Sequence, residues 1–379
     1  MTFEVLFGDD SEVRAAERSF YDSLQLLEVE ENADLPGAIQ LTLPTTSQGA
    51  AGAEDLSVVG DREFRPYGRV AVVVRGEGTS DDECIFDGYV LAHSIHLDPG
   101  TTSSTVQVWG QDASCLMNLI DRTKERTGTD VATANSIFGD YDITPADAND
   151  AGNGSDNQSD KQVIMQRGTD AQFLRERARR TGRLFRVACA RQPGTNTGYF
   201  VKPDLGRDPA ADLTLNPPKD ANVESLDFSW DVGRPTEVLA KALVESKDPV
   251  KGDAEDSGLR LLAERSLASF VGEHAGGGSG NGTGRTMNTR LTAVVEDAGE
   301  LVGRAEALLR EAAWFVKCEG EADLNRLGVV LRVGMIVQVN GAGRLHSGKY
   351  FVWSVRHTVS AESHRMRFVL VRNAVGGAA

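Results

Sequence analysis

The chain has 379 residues, more than one ordinary hydrophobic core organises, which suits two to four domains. Its 56 acidic residues against 40 Lys and Arg leave a net charge of −16, which argues against a nucleic-acid binder, whose cations must displace counterions from phosphates. No basic stretch precedes an apolar one at the N-terminus and the longest aliphatic runs, such as 70–74, are far too short for a bilayer, so neither a signal peptide nor a membrane insertion is expected.

The front of the chain concentrates acid, with 20 acidic side chains against 6 basic ones in residues 1–100. Partial strand alternation marks Ser23–Val29 and Ala38–Leu43, with a turn at Asp34–Gly37 between them. A small-residue loop at Thr45–Glu54 leads to further strands at Arg69–Arg75, Ile85–Leu91 and Thr105–Trp109. Leu116, Leu119 and Ile120 recur at helical spacing, so Ala113–Lys124 is expected as a short amphipathic helix. Asp150–Lys161 holds no apolar residue larger than Ala and is expected as a loop; its Asn-x-Ser triplets read as accidental without a secretory signal.

The best local signature is Thr169–Gly182. Thr169 and Gln172 fit a capping box, and Asp170 suits the positive end of a helix. Phe173, Leu174 and Ala178 form a buried stripe, and Gly182 supplies a left-handed stop. The surrounding residues 161–191 are basic, with Lys161 and eight Arg against Asp170 and Glu176. An RNA grip would also need aromatics interleaved with those arginines, and they are not there. Leu184–Ala190 and Gly198–Pro203 make a hairpin.

Val223–Val232 and Glu237–Glu245 open another β region, interrupted by a polar insertion. Its Gly-rich stretch 276–285 has no Gly-Lys-Ser/Thr and follows no strand, so it is a loop and not a phosphate cradle. Ala298–Ala313 reads as helix, with Leu301, Val302, Ala305, Leu308, Leu309 and Ala312 on one face. Five strands close the chain: Trp314–Cys318, Val329–Arg332, Met335–Val339, Tyr350–Thr358 and Met366–Arg372.

Those closing residues resemble a known family. Gly334–Gly343, His346–Ser360 and Met366–Asn373 look like the terminal β-barrel of phage late control protein D, a module shared with the hub part of VgrG proteins and contractile injection systems. Tyr141–Pro145 and Thr169–Leu174 followed by Gly182 resemble that family's central motifs, in the same order, and the likeness spans roughly residues 1–373. The motif positions in the closing strands are Gly334, Gly341, Gly348, Tyr350 and His357; glycines permit tight turns there, and Tyr350, Val352 and Val355 fill strand positions in imperfect alternation. The resemblance implies a baseplate hub: a homotrimeric ring with two similar barrels per subunit, so that three copies match the sixfold tail tube above and a threefold spike below. It also implies contacts with baseplate wedge or sheath components, and assembly in the cytoplasm into a particle. VgrG-type fusions continue past the Arg-Asn into a needle, whereas this chain stops at Ala379, so the spike is expected as a separate protein.

The expected fold class is α+β and β-rich, with a first β-barrel over 1–112 and an α/β domain over 113–222. A second barrel is expected from 223–249 and 314–379, with 250–313 inserted as loop and helix. No catalytic, metal or cofactor set stands out. Cys84, Cys115, Cys189 and Cys318 are far apart in sequence and form no CxxC pair. His93 and His96 would face opposite sides of a strand, and His357 is expected to make a structural hydrogen bond. No Gly-x-Ser-x-Gly, HExxH or P-loop is present. A peptidoglycan hydrolase and a free-standing receptor-binding adhesin remain the alternatives to a structural ring subunit, and an acidic first barrel would line the ring's channel.

Overall fold

The computed structural model describes residues 2–9, 12–45, 64–75, 82–98, 104–146, 163–215, 221–242, 250–275, 286–293, 295 and 298–376. The expected loops at 46–54, 150–161 and 276–285 lie outside the described residues.

The front of the chain alternates as half-buried strands must. β1 (Thr2–Gly8) and β2 (Val13–Ala15) precede a short helix, α1 (Arg18–Ser23), and then β3 (Leu26–Asn32) and β4 (Ala38–Pro44). β5 (Arg69–Arg75), β6 (Glu83–His96) and β7 (Thr105–Asp112) follow. β3 turns Leu27, Val29 and Glu31 inward, and β7 does the same with Val106 and Val108. The strands run antiparallel in the order β3-β4-β7-β6-β5-β1-β2. Register shifts against both neighbours bend β6, so that its first half is buried and the half from Leu91 onward is exposed.

The helix expected at Ala113–Lys124 does not form. Ala113–Asn118 is a 3-10 helix capped by Asp112, and Asp121–Thr127 is a strand, β8. Ala113, Ser114, Cys115 and Met117 are buried, while Leu119 and Ile120 are 55% and 53% exposed. The run DRTKERT has no apolar residue of its own to bury. It is extended because Val163–Thr169 pairs along its whole length, so a long-range ladder decides its conformation. After β8 come α2 (Asp130–Gly139), β9 (Thr144–Pro145), β10 (Val163–Thr169) and α3 (Asp170–Thr181), then the hairpin β11 (Leu184–Cys189) and β12 (Asn196–Val201). They enclose a separate core around Ile137, Phe138, Phe173, Leu174, Phe185 and Phe200. A bidentate ion pair, Arg177 Nε to Asp130 Oδ1 at 2.6 Å and Nη2 to Oδ2 at 2.9 Å, ties α3 to α2 inside this unit.

The rear begins with β13 (Ala211–Thr214) and β14 (Ser225–Trp230). β15 (Glu237–Ala242), expected in the second barrel, instead pairs with β16 (Val250–Lys251) and, beyond β17 (Arg265–Ser266) and α4 (Leu267–Ala275), with β18 (Asn288–Thr292). Its buried residues Val238 and Ala240 are covered by Leu301, Ala305 and Leu309 of α5 (Ala298–Ala312). An apolar helix face thus claims the strand for the insertion. Leu308 is exposed, contrary to the expected stripe, and Arg310 takes a buried place, donating to the carbonyls of Ser257 and Thr181. Val329–Arg332, expected as a strand, is a connection between β19 (Val316–Asp323) with the one-turn α6 (Leu324–Leu327) and β20 (Ile336–Asn340). Another one-turn helix, α7 (Gly343–His346), leads to β21 (Gly348–Val359), β22 (His364–Arg372) and β23 (Ala374–Val375).

Rear strands β14-β19-β22-β21 are antiparallel neighbours, and β13 joins through β20. β21 divides its partners. Its first half pairs with β20 and its second half with β3, which makes front and rear one sheet of 13 strands around one large core. The two strand sets expected as separate barrels are therefore hydrogen-bonded together, and the fold is α+β and β-rich.

Candidate functional site

The signature at Thr169–Gly182 forms as its residues dictate. Thr169 accepts from Gln172 N and Gln172 accepts from Thr169 N, closing the capping box. Phe173 and Leu174 are core residues. Asp170 does more than face a helix end. It is fully buried and accepts from Arg126 at 3.0 Å, Gln166 at 2.8 Å and Tyr141 Oη at 2.7 Å, with the Arg122 guanidinium in ion-pair contact at 3.1 Å. The Tyr141 and Thr169 motifs thus meet at one carboxylate. Burial, and then Asp170, push the Tyr141 phenol above its usual range. Gly182 has φ 62° and ends α3, where a Cβ would come within 2.9 Å of Ala307 Cα on α5.

The closing motif builds a second cluster. Gly334 and Gly341 take positive φ in turns, and Gly348, at φ 133°, lies against the Arg372 guanidinium, whose Cζ would be 3.1 Å from a Cβ there. Arg372 is fully buried and donates to the carbonyls of Leu345, Ser347, Leu262 and Gly376 at 3.1–3.4 Å. It also lies over the Tyr350 ring, 5.2 Å from the centroid. Tyr350 donates to the His346 carbonyl at 2.8 Å, and burial raises its phenol to about 12. The imperfect alternation of this segment has a cause: a bulge between Val352 and Ser354 resets the strand, so Tyr350, Val352 and Val355 are all buried. His357 is buried at 2.9 Å from His364.

A third cluster, which no local spacing announces, joins front, middle and rear. The Arg332 guanidinium donates to Glu31 of β3, to Glu83 at 3.1 Å and the Cys84 carbonyl at 2.8 Å on β6, and to the Cys189 carbonyl at the end of β11. Burial disfavours its charge, but Glu31, Cys189 and Glu83 outweigh that and hold it above the usual arginine range. Beside it Arg186 donates to Val333 O at 3.0 Å and stacks on Tyr199 at 3.7 Å; burial lowers its pKa.

Asp87 receives Arg69 in a bidentate pair, so Glu31, Asp87, Asp130 and Asp170 are all bound to guanidinium groups. Asp112 accepts from Gly37 N and Ser114 N, and burial raises it to about 6. His93 and His96 are exposed on the outer half of β6, with His96 at 3.5 Å from Asp98. Among the described residues no three His, Cys, Asp or Glu gather as a metal site would need, and no helix is long and apolar enough to cross a membrane.

Comparison with protein-family models and with curated proteins finds no match. Solved structures do match. The 43 kDa tail protein of prophage MuSo2 from Shewanella oneidensis superposes with a TM-score of 0.65 at 14% identity, over 99% of this chain and 100% of that one. The fold is that of phage tail proteins. A second tail protein, from Neisseria meningitidis MC58, gives 0.63 at 12% identity over 98% and 97% of the two chains. An Escherichia coli type VI secretion component, described as similar to T4 tail proteins gp27 and gp5, gives 0.51 at 13% identity over 94% of this chain and 76% of its own. The tail-protein fold therefore takes in the front sheet, the middle unit and the rear strands together.

Proposed function

We propose that this chain is a non-enzymatic structural subunit of a phage-type tail or contractile injection machine, acting as its baseplate hub. Likeness to tail proteins over essentially the entire length of both chains is the observation that carries this reading. Three copies form a ring that adapts a sixfold tail tube to a threefold spike, with wedge or sheath components around it. The continuous sheet supports a ring, because its terminal strands β2 and β14 have an open edge among the described residues where neighbouring copies can meet. The buried carboxylates support a structural role, since four of them are already neutralised by arginine.

Native mass measurement and electron microscopy of the purified protein, alone and with tube and spike proteins, test the proposal. The expected result is a three-subunit ring that binds both partners. Monomers in the presence of both partners, or clearing of a cell-wall substrate by the protein alone, would overturn it.

A further inference from the structure

Two of the four thiols meet at the seam between the front sheet and the middle unit. Cys84 lies on β6 and Cys189 ends β11. Cys84 N donates to Arg191 O at 2.9 Å, which holds β6 beside the end of β11. Cys189 Sγ donates to the Cys84 carbonyl at 2.9 Å, and Cys84 Sγ donates to the Phe86 carbonyl at 3.2 Å. One guanidinium serves both, with Arg332 Nη1 2.8 Å from Cys84 O and Nη2 3.4 Å from Cys189 Sγ. Of the other two thiols, Cys115 lies in the core of the middle unit and Cys318 on β19.

Access and charge distinguish the pair. Cys84 is fully buried, whereas Cys189 retains 8% exposure. A cavity of about 20 Å³, lined by Cys189, Arg332, Glu31, Asp87 and Asp112 among others, has room for one water-sized molecule. A fixed cation 3.4 Å from Cys189 Sγ favours negative charge on that sulfur as it reacts. Cys189 reacts first, because it lines the cavity and its sulfur faces the guanidinium, whereas Cys84 does neither.

We infer that Cys84 and Cys189 form a peroxide-oxidisable pair that closes into a disulfide across this seam. Cys189 sulfur attacks one oxygen of hydrogen peroxide, the O–O bond breaks, and the departing hydroxide takes the thiol proton to leave as water. Cys84 sulfur then attacks the resulting sulfenic acid, the S–O bond breaks, and the second water carries off the Cys84 proton. Two thiols and one peroxide become one disulfide and two waters, with two electrons passing from sulfur to oxygen. The bond fastens the front sheet to the middle unit covalently, across a long loop of chain.

The full chain is treated with hydrogen peroxide while folded, then denatured, alkylated and mapped by mass spectrometry. Two of the four thiols should be lost, in a Cys84–Cys189 cross-linked peptide, and the thermal midpoint should rise and return on reduction. Cys189→Ser should abolish the cross-link and Cys115→Ser should leave it unchanged. Four surviving thiols, a sulfinic acid on Cys189 without the cross-link, or cross-linking only in the unfolded chain would each overturn the inference. Should a serine variant fail to fold, the map of the unaltered chain decides alone.

Discussion

His357 Nδ1 and His364 Nε2 stand 2.9 Å apart, with both rings fully buried in the last hairpin. One ring donates and the other accepts, so the pair suits two neutral imidazoles. Burial lowers His364 to about 4 against a pull from Asp323, and burial with His364 and Arg332 holds His357 well below the usual range.

Unfolded histidines take up protons from about pH 6.5, which His364 refuses until near pH 4 and His357 refuses well below its usual range. Stability is therefore complete above that window, falls as pH drops through it, and levels off near its lower end. His364 alone contributes on the order of 3 kcal/mol to this loss. Asp112, raised to about 6, works with the opposite sign, because its folded form keeps a proton that the unfolded one releases. Urea midpoints of the native protein and of His364→Gln across the window separate the two effects. The variant should lose less stability on acidification, and parallel curves would exonerate the histidines.

Asp170→Ala removes the acceptor shared by Arg126, Gln166 and Tyr141 and leaves a buried guanidinium uncompensated. It should cost about 3–5 kcal/mol in denaturant unfolding. Tyr141→Phe, which deletes one donor, should cost about 1 kcal/mol. Equal costs for the two would show that the carboxylate is not the centre of the cluster.

Gly182→Ala meets both a left-handed backbone and the Ala307 Cα at 2.9 Å, whereas Gly194→Ala meets a positive φ of 97° with nothing within 4 Å. At Gly182 the left-handed backbone costs an alanine about 1–2 kcal/mol. Gly182→Ala should exceed Gly194→Ala clearly in thermal or urea unfolding, the excess measuring how tightly α3 is seated on α5. Similar losses at both positions would argue against that contact.

Arg332→Met should cost about 3–5 kcal/mol, since Glu31 loses its buried partner. It should also uncouple the units. All four Trp (109, 230, 314 and 353) lie outside the middle unit, so their fluorescence reports the sheet, while far-ultraviolet dichroism includes α2 and α3. The two transitions should coincide in the native protein and separate in the variant.

Much of the local structure was legible because one stretch of chain sufficed to specify it. The alternation of β3 and β7, the capping box at Thr169 and the periodicity of α5 each follow from neighbours in sequence. What was not legible depends on distant partners. DRTKERT carries no strand signal and is extended by β10, and β15 is drawn away from the rear strands by α5. Arg126 lies 44 residues from Asp170, and Arg332, at the end of an apolar run, gave no sign of its ties to Glu31 and Cys84. Buried ion pairs of this kind are assembled by the fold and have no spacing of their own.

The ladder between β3 and β21 places Leu27 opposite Val359, Val29 opposite His357 and Glu31 opposite Val355, so every inward side chain of one strand faces an inward side chain of the other. Sliding one strand past the other by a single residue would turn a whole row out into water. A one-residue slip is thereby ruled out at this junction, and the front and rear strands hold a single pairing.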